Sequence, residues 1–526
     1  MVYKYGIVIG IGGVFALLML GITWLQNRYT KFSTKQEEFN TASRSVKPGL
    51  IAAGIVSSWT WSATLPTSST FAYGYGVCGP VWYRAMGTFQ ILLFALIAIK
   101  IKDIPCAPWE DCSHYGLATN MLVGACLVLG GAQVVAALTN MNVYAACFLI
   151  PLMLPAMSTY IAGYIHTVIL FIVIFVFGYL MYATSNIVGS PTKLYDLLQE
   201  AFRSMPVVGN VDGSYLDFRS LHGLVFAIDL FAAGFSPRAI ASRPETSVRA
   251  YILGGIAWYG IPFRFATAMG LGCAALINDP RFPTYPHPRS TAQNGAGLSS
   301  PATAIAILGK PGAILMLILL FMAVTSSTSA ELIAVSSLLT FDIYRTYMKP
   351  DSSSAKLVQI SHYGIVIYAF VLATFCSILN GVGVNLTWLL TILAIIVGGA
   401  STPIGLILLW KRISTAAAIF APWIGLVCGL KAKIGESEAT RAVNASEPEA
   451  IDPTSKDIVV FFEMRNMEPM DPIVVKKSEH LAIGATLVFF FVAIILAPFT
   501  LFGTGYIYDR AFFTGWVVVS FFVSLG

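Results

Sequence analysis

The chain has 526 residues, 56% of them hydrophobic and only 11% charged, with a formal net charge of +6 and a mean hydropathy of +0.74. A soluble domain carries about 25% charged residues, so this composition excludes a water-soluble enzyme and describes a protein embedded in the lipid bilayer. The basic residues are scattered in runs no longer than two, which excludes a nucleic-acid surface.

About 20 apolar residues cross a bilayer. On that measure, helices are predicted near 5–26, 49–75, 80–101, 115–138, 143–157, 160–184, 221–236, 250–278, 312–341, 359–381, 386–410, 415–431, 480–501 and 511–526, giving 13–14 apolar segments of an all-α membrane protein. The runs at 143–157, 221–236, 415–431 and 511–526 are short for a full crossing. The first run lacks a small-residue cleavage site and is too long for a signal peptide, so it stays as a helix. With the N-terminus outside, the inside loops up to Arg412 hold fifteen Lys and Arg and the outside segments seven. Basic loops stay inside, so the N-terminus is out. Beyond Arg412 the alternation fails, and the polar stretch 431–479 does not declare its side.

The stretch 49–80 is long enough to cross, yet hydroxyl residues from Ser57 to Thr70 crowd its middle and Pro66 interrupts it. Proline removes a donor and strains the preceding turn. Interrupted backbone at membrane depth survives where it lines a wet cavity or is buried in protein. That points to a broken helix carrying a solute and ion site; the competing reading is a kinked helix whose hydroxyls bond to their own carbonyls.

Between the first helix and 415–431 lie ten segments, which divide five plus five into 49–184 and 221–412, joined by an extracellular loop at 185–220. Residues 1–48 form an extra helix and a cytoplasmic loop, and 413–526 hold C-terminal helices with the polar insert. The second half opens on the short segment 221–236, with Asp229 and Gly234, so irregular segments head both halves. That pattern marks inverted-repeat transporters and their binding sites. Farther on, Ala323, Ser326, Ser327, Ala330, Ala334 and Ser337 share one helix face, as do Ala53, Ser57, Thr60 and Thr64. Two such faces pressed together either offer a cation several oxygen ligands or form a plain small-residue packing seam. Charged residues inside predicted spans (Arg84, Asp229, Arg264, Glu331) normally face the bundle interior with a partner, and Asp229 or Glu331 is the expected partner of Arg264. No P-loop, nucleophile elbow or zincin motif occurs, so an enzyme is not expected. Asn385-Leu386-Thr387 and Asn444-Ala445-Ser446 are glycosylation sequons.

The blocks GLIAAGIVSSWTWSAT, GPVWYRAMGTFQILLFA, AIASRPETSVRAYILGGIAWYGIPF and LILLFMAVTSSTSAELIAVSSLLTFDIY resemble the high-affinity urea active transporters of the sodium:solute symporter family, in their fungal form. The resemblance runs from Tyr5 to Leu430 and resumes near Met470. It implies a LeuT-like core of two inverted five-helix repeats and cation-driven uptake of urea across the plasma membrane, with Na+ or H+ as the coupling ion. By similarity the cation site uses the carbonyls of Ala53, Val56 and Ala323 and the hydroxyls of Ser326 and Ser327. Urea has four N–H donors and one acceptor oxygen, so its pocket needs several acceptors, a donor and a flat aromatic. Trp59, Thr60, Ser62, Gln133, Asp229 and Trp388 are the candidates on that chemistry. Competing readings are a carrier of polyamines or another small amine, and a transport-inactive member of the family.

The chain also departs from the family pattern. Gly163 stands where an acidic residue precedes Tyr164 and His166, and material is expected to be missing before Tyr115, within 152–162, after Phe235 and after Leu430.

Overall fold

In a computed structural model, described for residues 48–100, 110–152, 160–233, 244–409, 423–431 and 472–522 with isolated positions elsewhere, the chain is helical throughout. The first predicted helix, the polar insert and all the expected junctions of missing material fall wholly or largely outside these residues.

The broken span appears as α1 (Pro48–Trp59) and α2 (Thr64–Tyr75). Then follow α3 (Cys78–Lys100), α4 (Glu110–Thr139), α5 (Val143–Leu152) and α6 (Tyr160–Tyr179), whose last turns widen through Thr184. A loop helix, α7 (Pro191–Ser204), precedes α8 (Leu221–Ala233) and α9 (Pro244–Phe265), which continues to Ala275. Two short helices, α10 (Thr291–Gly295) and α11 (Ser299–Leu308), lead into α12 (Lys310–Ser337), α13 (Ser354–Gly381) and α14 (Leu386–Leu409). The C-terminal pair is α15 (Pro472–Phe489), extended to Thr504, and α16 (Arg510–Phe522). Among the described residues, five helices are long and apolar enough by themselves to cross a membrane.

Packing relates two sets of five. One set is the broken span, α3, α4, α5 and α6; the other is α8, α9, α12, α13 and α14. Helices of equal rank pack together: α3 on α9, α4 on α12 and α5 on α13. Each head helix packs on the fifth of its own set, α1 on α6 and α8 on α14, and on the second of the other, α1 on α9 and α8 on α3. Exchanging the two sets leaves this pattern unchanged, as a pseudo-two-fold repeat requires.

The loop after α15 packs against the loop that joins the two sets. Tyr508 N–H donates to Leu216 O (2.9 Å), Ile507 bridges to Asp217, and Arg510 pairs with Asp196 of α7. The turn 505–509 therefore lies on the same side of the molecule as the loop 185–220. Helices α7 and α11 went unpredicted because a search for long apolar runs passes over a polar amphipathic helix and one of ten residues.

Among the described residues, the expected acidic partner of Arg264 is absent. Arg264 is fully buried, all three guanidinium nitrogens lack a hydrogen-bond partner, and its charge lies over the rings of Phe175 (3.7 Å) and Phe521 (4.1 Å). Arg84 likewise stacks on Phe263 (3.4 Å) and Tyr259 (4.5 Å). Aromatic faces have taken the place of carboxylates.

Asn385 is half-buried and caps α14, its Oδ1 accepting from Trp388 N–H (2.9 Å), while Thr387 Oγ1 donates to Gly295 O (3.0 Å). Both sequon side chains are thus committed to the fold. Asn385→Gln is expected to leave the apparent mass in glycosidase-treated and untreated samples unchanged; a band shift lost in the variant would contradict this. Asn444 lies outside the described residues.

Candidate cation and solute site

The break between α1 and α2 sits at Thr60–Ala63, upstream of Pro66. Pro66 has no N–H for the carbonyl of Ser62, and its ring would strike that carbonyl in a continuous helix. At the third position of α2 the missing donor costs nothing, so the helix restarts there. The last carbonyls of α1 then need other partners. Val56 O accepts from Thr60 N–H (2.9 Å) and Thr60 Oγ1 (2.7 Å), and Trp59 O from Thr64 Oγ1 (3.3 Å). Ser57 O accepts from Ser326 Oγ across the molecule (3.1 Å).

That last bond joins the two hydroxyl faces. On α12, Ala323 O accepts from Ser326 Oγ (3.2 Å) and Ser327 Oγ (2.6 Å). On α1, Ala53 O accepts from Thr167 Oγ1 of α6 (2.9 Å). Ala53, Val56, Ala323, Ser326 and Ser327 therefore belong to one junction of α1, α6 and α12. Their hydroxyls now donate to carbonyls; turned away, they would add oxygen ligands to the carbonyls they release. Gly163 of α6 faces the same junction. A Cβ there would lie 3.6 Å from Gly54 Cα and 3.7 Å from Ser57 Oγ, so the absent acidic side chain would have pointed at this cluster.

The solute candidates divide. Thr60 and Ser62 are fully buried at the break, and Ser62 Oγ donates to Leu127 O of α4 (2.6 Å). Trp59 ends α1 with its ring edge-on to Phe94 (5.5 Å). Close approach of α4 depends on Gly131, where a Cβ would come 2.6 Å from Val324 Cγ2 and 3.8 Å from Ser62 Cβ. Gln133, two residues on, donates from Nε2 to Val384 O (3.3 Å), while its Oε1 is buried without a hydrogen-bond partner. Asp229 lies half-buried on α8. Trp388 is not brought to the break: it is 44% exposed in the first turn of α14.

Helix α2 is packed under the segment 289–297. Thr70 Oγ1 donates to Asn294 O (2.9 Å), Arg289 N–H to Tyr73 Oη (3.2 Å), and Gly297, at φ +77°, lies against Pro66. Every residue of α2 from Thr64 to Tyr73 is buried, whereas Ala53, Gly54 and Ser58 of α1 are only half-buried. A separate cavity of about 10 Å³, room for about one water, lies between α2, α3 and α8, lined by Phe71, Tyr83, Gly223 and Phe226 among others. Two buried titratable groups lie close in sequence to members of the cluster: Glu331, one turn beyond Ser327 on α12, and His166, next to Thr167 on α6.

No protein-family model matches the chain. It is 36% identical to a probable urea active transporter of Schizosaccharomyces pombe, with 98% of this chain and 87% of the relative covered. That alignment runs over 579 positions, more than the chain's 526 residues, so the relative carries segments with no counterpart here. It is 40% identical to the urea-proton symporter DUR3 of Oryza sativa subsp. japonica, over 81% of this chain and 64% of the relative. The urea active transporter of Saccharomyces cerevisiae is also 40% identical, over 80% and 62%. The chain thus spans a little under two thirds of the latter two relatives. A solved Na+-coupled sialic acid symporter, substrate-bound and outward-open, shares the fold at TM-score 0.54 and 12% identity, covering 84% of this chain and 98% of that one. The core is therefore LeuT-like.

Proposed function

The chain belongs to the urea active transporter family, and on that premise we propose that it imports urea across the plasma membrane with a proton as the coupling ion. It is a multi-pass membrane transporter and not an enzyme. The observation that carries the reading is the Ser326–Ser57 bond, which sets carbonyl and hydroxyl oxygens from both sets of helices around one buried point.

Such oxygens accept hydrogen bonds from hydronium as well as they ligate a metal cation. Carbonyl and hydroxyl oxygens do not take up or release a proton near neutral pH, so proton coupling needs a base nearby. Glu331 is that base: it is buried to 1% exposure one turn from Ser327, on the helix that carries three of the five site oxygens. Urea binds beside the break, with the buried Gln133 Oε1 accepting one of its N–H groups and Thr60, Ser62 and Asp229 supplying further oxygens.

In proteoliposomes, an inward proton gradient is expected to drive labelled urea accumulation, and a Na+ gradient alone is not. Glu331→Gln should abolish the gradient-driven accumulation while preserving urea counterflow, which needs no net proton movement. Accumulation driven by Na+ instead would overturn the proton assignment. Gln133→Leu is expected to raise the KM for urea counterflow about tenfold, the effect of one lost hydrogen bond plus an unpaired urea N–H; an unchanged KM would remove Gln133 from the pocket.

A further inference from the structure

Arginine keeps its charge at any depth in a membrane protein, so a guanidinium near the end of a span needs acceptors for its five N–H groups. Arg84 stands six residues into α3, about 9 Å along the helix from Cys78. Its charge rests on the rings of Phe263 (3.4 Å) and Tyr259 (4.5 Å), and among the described residues it makes no hydrogen bond or ion pair. Ring faces attract a cation but give its N–H groups no lone pair in the plane of the guanidinium. Nε is walled in, whereas the side chain as a whole is only half-buried, so its far end remains reachable.

Two further donors lie beside it without acceptors. The Trp516 ring of α16 meets the edges of Phe263 (5.2 Å) and Tyr508 (5.7 Å), and both Trp516 Nε1 and Tyr508 Oη are buried with no hydrogen-bond partner. Tyr508 is fully buried and within electrostatic reach of Arg84. The carboxylates of the neighbourhood are engaged elsewhere. Asp217 accepts from Val211 N–H (2.7 Å) and Arg219 N–H (2.9 Å), Asp509 from Tyr506 Oη (3.1 Å) and Phe512 N–H (2.8 Å), and Asp196 pairs with Arg510. A cation and two neutral donors with no acceptor between them fit a ligand that is anionic and rich in acceptor oxygens. A phosphate group has that chemistry, and a guanidinium takes it through two parallel N–H bonds.

We propose that Arg84, Tyr508 and Trp516 form a phosphate-binding site at the junction of α3, α9 and α16, open to a phospholipid headgroup or to free phosphate. Its depth favours the lipid. The cluster lies about two turns below the start of α3, beside the turn 505–509, at the level where headgroups meet a helical bundle. Phe512, whose ring meets that of Tyr508 at 4.6 Å, is 40% exposed and offers an acyl chain an apolar flank.

The test is the melting temperature of the purified, delipidated carrier in detergent, titrated with dioleoylphosphatidylglycerol, with dioleoylglycerol and with inorganic phosphate. Phosphatidylglycerol is expected to raise it by several degrees and to saturate, and dioleoylglycerol, with the same chains and no phosphate, is not. Arg84→Met is expected to raise the half-saturating lipid concentration about tenfold or more, and Trp516→Phe, which keeps a ring and loses the N–H, about fivefold. If Arg84→Met does not fold, Trp516→Phe and Tyr508→Phe carry the same comparison. A rise with phosphatidylglycerol and none with inorganic phosphate identifies the lipid as the ligand; an equal rise with inorganic phosphate identifies the free ion. No rise with either, an equal rise with dioleoylglycerol, or an unchanged half-saturating concentration in every variant overturns the site.

Discussion

The double variant Ser326→Ala, Ser327→Ala is expected to lose coupled urea accumulation by about a hundredfold or more while reaching the membrane in normal amounts. Two hydroxyl oxygens disappear from a site that has five candidate oxygens, and a hydrogen bond or ligand contact to a charge is worth about 1.5–3 kcal/mol, roughly tenfold or more in binding for each. The fold should tolerate the change. Ala323 O keeps its own place in the helix ladder, and alanine is the better helix former. Ser57 O does lose a donor that reached it from α12. Measuring accumulation and counterflow side by side separates the two consequences: coupling should fail more completely than exchange. Full gradient-driven accumulation in the double variant would show that the oxygen cluster is a packing seam.

Arg264→Met is expected to make the protein more stable, by about 1–4 kcal/mol, seen as a rise of several degrees in the melting temperature of detergent-solubilised protein. Breaking an ion pair would do the reverse. The guanidinium here is fully buried with no hydrogen bond to any of its nitrogens, and arginine cannot shed its charge to relieve the cost. Two ring faces return about 0.5–2 kcal/mol each, less than an uncompensated buried charge costs. Methionine keeps an unbranched apolar stem, can place its sulfur against Phe175 and Phe521, and removes the charge. A loss of stability would reveal an acceptor that the guanidinium reaches in the folded protein.

Arg264 also marks where reasoning from sequence stops. That such a residue turns inward is legible, since lipid rejects it. Its neighbours come from α6 and α16, far away in the chain, and nothing in the local pattern distinguishes a carboxylate from a phenyl ring there. Trp388 shows the same limit: as an aromatic near the head of a span it suits a flat solute, yet the register of α14 turns it outward.

By itself the sequence determined that the chain is a helical membrane protein, that its second span breaks near Pro66, and that Ala53, Ser57, Thr60 and Thr64 on one segment and Ala323, Ser326 and Ser327 on another share small, hydroxyl-bearing faces. Those properties follow from hydropathy, proline stereochemistry and helical periodicity, which act over a few turns. The tertiary structure decided that the faces touch through Ser326 and Ser57, that Gly163 faces the same junction, and that the last helical hairpin turns beside the loop 185–220. Each of these joins residues tens to hundreds of positions apart, and only packing in three dimensions chooses among such pairings.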